Sequence, residues 1–247
     1  MNIFVIAHKG QKIIFKHIAQ DDVSVIEFCF FRNCLILFVT GIVFAFRKQN
    51  PFANVPKTGR IDVIMRSLAG QLTFALENYS FTMLPMAVAL IMIATNPFWV
   101  IIIALCMFRD KILPIEIVGI MVCLGGVAML VYSEHYTALE EYEEEVEKGE
   151  ATEEEYKHEL HIYEGMFVAF IAAWTFALYN TYNFRKLKDS DHVQLIFIEA
   201  CLGFVIFSLI IVIEFMFFGE NEFRIYSGTN YGYIFAACAL DTVAFYF

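Results

Sequence analysis

Long apolar runs follow one another along this chain, and no other feature restricts its folding so severely. The clearest are Val25 to Phe46, Ile61 to Phe81, Leu84 to Phe108, Ile112 to Tyr132, Ile162 to Phe184 and Val193 to Phe218, with a shorter one at Tyr231 to Phe247. A helical residue rises about 1.5 Å, so roughly 20 residues cross a hydrocarbon layer of about 30 Å. Backbone amides buried in lipid must be satisfied within their own segment, which selects helices for runs of this length. Hydrophobic residues make up 59% of the chain and charged ones 18%, against about 25% charged in a soluble domain. The expected fold is an all-α polytopic transmembrane bundle of about seven or eight helices, with the lipid bilayer as its solvent.

The formal net charge is -10, and it is local. Glu134 to His161 holds twelve Glu and two Lys, so the remainder is neutral overall. With no basic patch, nucleic acid is not expected as a partner. Leu139, Tyr142 and Val146 fall on one face of a helix if this acidic loop becomes helical. His158 and His161, with Glu154 one turn earlier, are too loose a set to make a metal site.

All six cysteines, Cys29, Cys34, Cys106, Cys123, Cys201 and Cys238, fall inside apolar runs without C-x-x-C spacing. They read as small packing residues. His8, Lys9 and Lys12 interrupt the apolar stretch of Met1 to Ile18, and no small-residue cleavage site follows. That stretch reads as a short first helix rather than a signal peptide.

Lys and Arg are retained on the cytoplasmic side, so their placement in alternate loops sets the orientation. One set of loops carries Arg47, Lys48, Lys57, Arg60, Arg66, Arg109, Lys111, Arg185, Lys186 and Lys188, ten in all, and the other only Lys16, Lys148, Lys157 and Arg224. The first set is expected to face the cytoplasm. The acidic loop then lies outside the cell or in a lumen, in a plasma membrane or an endomembrane.

Two stretches of the chain echo each other. Lys16, Asp21 and Val23 recur as Lys186, Asp191 and Val193, and Ala75, Leu76, Glu77 and Phe81 recur as Ala239, Leu240, Asp241 and Phe245. Each unit would then hold five helices. An odd number inserts the second copy upside down, the inverted repeat of many secondary transporters.

Ala94-Thr95-Asn96-Pro97, then Phe108-Arg109-Asp110-Lys111 in a tight basic turn, then Gly119 and Gly126, resemble the EamA-type drug/metabolite transporters. In that family a proline-bearing helix, a short basic turn and a glycine-rich helix come in this order. Asp21 to Arg32 is similar to the family's start of helix two. The resemblance implies ten helices in inverted five-helix repeats, the second truncated here. It assigns 1–133 to the first repeat with a short first helix, 134–161 to the acidic non-cytoplasmic loop, and 162–247 to helices six to eight. About eight of ten helices would be present, which leaves a partial gene model or a degenerate copy as the explanations for the other two.

Polar side chains at membrane depth are costly, so those in the runs are the candidates for function. Asn96 stands mid-helix, and Pro97 frees the carbonyl of Ile93; the two make either a kinked midplane substrate site or a helix contact and a bend. Glu77, Asn78 and Tyr79 end helix three, and Asp241 is the counterpart of Glu77. The two carboxylates either flank a cavity, holding a proton or a cationic solute, or are hydrated near the interface. Glu27, Arg32 and Glu199 are intramembrane charges. Glu27 and Arg32 point about 140° apart on their helix, so each either snorkels or meets another helix. Trp174, Tyr179, Asn180 and Tyr182 offer flat faces and hydrogen bonds to a ring-bearing solute, or serve in packing. Gly119 and Gly126 share a face and are expected to pack helices closely.

No H-E-x-x-H, Walker loop or nucleophile elbow occurs, so neither an enzyme nor a cofactor is expected. The expected function is secondary transport of a small organic solute by alternating access. The rival is a non-transporting multi-pass structural or interaction protein derived from such a carrier. A homodimer is left open in either case.

Overall fold

A computed structural model describes residues 10–17, 24–52, 59–109, 114–115, 117–129, 132–133, 153–188, 190–218 and 228–246. Among these residues the structure is helical, with no strand. Asp21, Val23, Lys57, Asp110, Lys111 and the acidic segment from 134 to 152 lie outside the described residues. The helices are α1 (10–17), α2 (Val25–Arg47), α3 (Arg60–Met83), α4 (Met86–Ile93), α5 (Asn96–Phe108), α6 (Ile117–Met129), α7 (Glu153–Thr181), α8 (His192–Phe218) and α9 (Gly228–Tyr246).

Local chemistry sets the boundaries. The Ser24 hydroxyl accepts the Ile26 N–H at 3.3 Å and so caps α2, which ends as Lys48 turns left-handed at φ 51°. Leu84 and Pro85 turn extended and separate α3 from α4. The chain breaks again at Ala94 and Thr95, just ahead of Pro97 in the first turn of α5, the helical position a proline tolerates best. The Thr95 hydroxyl donates to the Met92 carbonyl at 2.7 Å across that break. Where the sequence suggested a helix from Ile162, α7 already begins at Glu153, so the acidic segment ends as helix. A π-helical turn, Tyr182–Lys186, closes α7.

Val25–Arg47, Val88–Met107 and His192–Phe217 are long and apolar enough to cross a membrane. α3 has the length but a reversed pattern. Ile61, Ile64, Met65, Leu68 and Leu72 are exposed, whereas Arg66, Ser67, Gln71, Glu77 and Asn78 are buried. Apolar outside and polar inside is the arrangement for lipid, not for water. The far half of α8 is similarly bare, with Leu209, Val212, Phe215, Met216 and Phe217 exposed.

α3 packs along α7, α2 along α8, and α3 also reaches α8 while α2 reaches α9. Small residues bring α7 in: Ala169, Ala172, Ala173 and Ala177 are buried, and a Cβ on Gly165 would come within 2.8 Å of Leu84. Phe15, Phe28 and Phe74 join α1, α2 and α3, with ring centroids 4.6 and 5.9 Å apart in succession. Gly119 and Gly126 do not serve as expected. Nothing among the described residues comes within 4 Å of a Cβ placed on either, because α6 presents mostly exposed faces. The close approach is made instead at Gly70, Gly165 and Gly203. Cys29 and Cys238 are buried packing residues, but Cys106 and Cys123 are exposed.

Candidate functional site

The inward face of α3 carries Arg66, Gly70, Phe74 and Glu77 at spacings of three or four, with Gln71 and Asn78 beside them, so all stand on one buried face. Around this row the other helices deliver complementary groups. The result is a polar seam through the middle of the bundle.

Arg66 occupies one end, and the sequence placed it in a basic loop. It is instead fully buried, roughly two turns inside α3. Its Nη1 lies 2.9 Å from the Glu199 carboxylate and donates to the Leu195 carbonyl at 3.2 Å; Nε donates to Asn183 at 2.5 Å and Nη2 to the Tyr179 hydroxyl at 2.8 Å. The guanidinium also lies 4.7 Å from the centre of the Tyr179 ring. Every nitrogen of the fork therefore has a partner on α7, its π-helical turn or α8. This is the planar multidentate binding that arginine provides and lysine does not.

Next along the row, Asn33 and Gln71 bond reciprocally through their amides, each nitrogen to the other's oxygen at 3.0 Å. Gln71 Nε2 also donates to the Glu199 carbonyl at 3.1 Å, and Asn33 Nδ2 to the Cys29 carbonyl at 2.7 Å. Two glycines make the space. A Cβ on Gly203 would fall 2.5 Å from Gln71, and one on Gly70 would fall 2.7 Å from Glu199 Oε1.

At the other end, Phe74 is flanked by two cations, with Arg32 Cζ 3.9 Å and Lys12 Nζ 5.1 Å from its ring centre. Each has a buried carboxylate: Arg32 Nε lies 2.5 Å from Asp241, and Lys12 Nζ 2.8 Å from Glu77. Lys16 Nζ donates to the Leu84 carbonyl at 2.9 Å at the same end. The buried Asn78 gives Nδ2 to the Phe74 carbonyl, while its Oδ1 has no hydrogen-bond partner among the described residues; neither amide atom of the fully buried Gln11 has one either.

Several sequence candidates thus meet in the seam: Arg32, Glu77, Asn78, Tyr179, Glu199 and Asp241. Glu77 and Asp241 do not face each other as a bare carboxylate pair, since each holds its own cation. Glu27 is buried on α2. Asn96 is partly buried at the start of α5 with Oδ1 lacking a hydrogen-bond partner among the described residues, and Pro97 beside it is exposed. Asn180 and Tyr182 are partly buried, whereas Tyr79 and Trp174 are 43% and 42% exposed. Lys12, Asn33, Arg66, Gln71 and Asn183 were missed. For Arg66 the signal was present in the sequence, because it shares a helical face with Gly70 and Glu77. Among the described residues no group of His, Cys, Asp or Glu gathers to hold a metal.

No curated protein and no solved structure matches the chain. Residues 10–132, from α1 through α6, match the model of the EamA-like transporter family. The apolar spans, the inverted pattern of α3 and this match agree on an integral membrane protein whose residues 10–132 are similar to the EamA-like transporter family.

Proposed function

We propose that the chain is a multi-pass carrier that moves a small organic solute by alternating access, its two halves rocking about the buried seam. One observation carries this reading. Among the described residues, two buried arginine–carboxylate pairs join the first half to the second: Arg66 on α3 to Glu199 on α8, and Arg32 on α2 to Asp241 on α9. Buried ion pairs add little net stability compared with apolar packing, so charges held at membrane depth favour a functional reading.

The helix pairing supports an inverted repeat. If α1, α2 and α3 correspond to α7, α8 and α9, a pseudo-two-fold axis pairs α2 with α8 and makes α3 on α8 the counterpart of α2 on α9. All three packings occur. The same axis relates α3 on α7 to α9 on α1, where the His17 and Tyr233 rings lie 5.7 Å apart. In this reading the basic loops face the cytoplasm, the acidic segment 134–161 is non-cytoplasmic, and solute meets the seam near mid-depth with Asn96 at its margin.

The test is uptake from a metabolite mixture into proteoliposomes, read by mass spectrometry. The unmodified protein accumulates at least one solute, and Asp241→Asn, which removes the buried acid paired with Arg32, lowers uptake at least about tenfold. Equal uptake by Asn96→Ala removes Asn96 from the site. No uptake of any solute by the unmodified protein defeats the carrier reading and leaves the non-transporting membrane protein in its place.

A further inference from the structure

The two inter-half ion pairs stand at different depths. Arg66 and Glu199 each lie roughly two turns inside the starts of α3 and α8. At that same end Arg47, closing α2, meets Asp191, preceding α8, at 3.4 Å on the surface. Arg32 is roughly two turns inside the opposite end of α2, and it stacks on Phe74, about 12 Å along α3 from Arg66. In both pairs the first half supplies the arginine and the second half the acid. Lys12 and Glu77, by contrast, both belong to the first half.

We propose that Arg66–Glu199 and Arg32–Asp241 are two opposed latches, one closing each end of the seam, and that the protein releases them alternately. The inference rests on the carrier reading for its use but not for its existence. Parting a buried pair separates two opposite charges in a medium that solvates neither, which is strongly unfavourable while the site stays dry. Opening one end to water hydrates the charges parted there, so that latch opens at small cost. The opposite end is still dry, and its pair holds. Opening both ends at once adds the second penalty and a water path through the membrane, and that state is suppressed. The Asn33–Gln71 amide pair lies between the latches as the fixed floor about which each opens.

Hydrogen exchange of the protein in lipid nanodiscs, followed by mass spectrometry, reads this without any solute. Glu199→Gln is expected to speed exchange in 60–70 and 192–203 at least about tenfold and to leave 25–35 and 230–242 as they were. Asp241→Asn is expected to do the reverse. Asp191→Asn removes only a surface pair and changes neither end. Should a single variant exchange fast throughout, the charge-swapped Arg66→Glu with Glu199→Arg decides: protection restored at both ends supports the latch, and fast exchange in the swapped protein overturns it. Loosening of the same end by both single variants, or no change in either, also overturns it. Latches that respond as described in a protein that takes up nothing would remove the carrier reading alone.

Discussion

Arg66 Nη1 lies 2.9 Å from Glu199 Oε2, across 133 positions of chain, with neither side chain open to solvent. The same guanidinium bonds Asn183, Tyr179 and the Leu195 carbonyl, so its loss leaves one acid and three neutral groups short of a partner. Arg66→Ala is expected to lower stability by about 3–5 kcal/mol, the cost of an uncompensated buried charge. Arg66→Lys should lose less, since the ammonium keeps the charge but cannot reproduce the fork. Denaturant unfolding in detergent micelles, followed by circular dichroism, ranks the three proteins. A midpoint for Arg66→Ala equal to that of the unmodified chain contradicts the geometry.

Glycine positions separate into two kinds. Gly70→Ala and Gly203→Ala each drive a methyl to within 2.7 Å or less of a buried polar side chain, and each is expected to cost about 1–3 kcal/mol as overpacking. Gly119→Ala and Gly126→Ala meet nothing among the described residues, and both should be neutral or gain up to about 1 kcal/mol from helix propensity. Thermal melts of the four variants in one detergent test the contrast. Equal destabilisation by all four would place α6 against a neighbour.

The reciprocal amides of Asn33 and Gln71 should behave as a unit. Asn33→Leu or Gln71→Leu alone strands a buried donor and acceptor, at about 1–3 kcal/mol each. The double substitution strands fewer groups, so it is expected to fall short of the sum by about 1 kcal/mol. A double-mutant cycle on unfolding free energies measures the term directly, and strict additivity would mean that the two amides do not depend on each other.

Helix positions were legible because lipid demands an apolar run for every span, and α2, the α4–α5 span and α8 follow those runs closely. The family was legible from Asn96-Pro97 and its flanking turn, within the matched 10–132. The partners of the seam were not. Arg66 was counted with loop residues, because a charge near a helix start reads as interfacial until the acid on another helix is known. Lys12 was read as an interruption of an apolar stretch, yet Glu77 and the Phe74 ring give it a place in the core. For Arg32 the sequence leaves snorkelling and a partner on another helix both open, and only the fold could name Asp241. Pairing between distant helices leaves no local period in a sequence, whereas burial of one face does.

The reversed pattern of α3 gives the last test. Ile61 is 75% exposed beside a fully buried Arg66, and on α8 Met216 and Phe217 are 75% and 79% exposed. Such apolar surface is covered only by acyl chains or another membrane protein. The expressed protein is therefore expected to stay in the membrane pellet through alkaline carbonate and high salt, which strip proteins held by charge, and to leave it only in detergent. Replacing exposed Leu68 and Leu72 by Glu attacks the lipid-facing side of α3 without touching the seam. Each acid placed at the centre of a span costs about 2.5–3.5 kcal/mol to insert, so the pair should prevent stable accumulation. Recovery of the unmodified chain from the supernatant after high-speed centrifugation without detergent would falsify the membrane assignment, since the polar seam has a reason to face inward only where lipid surrounds it.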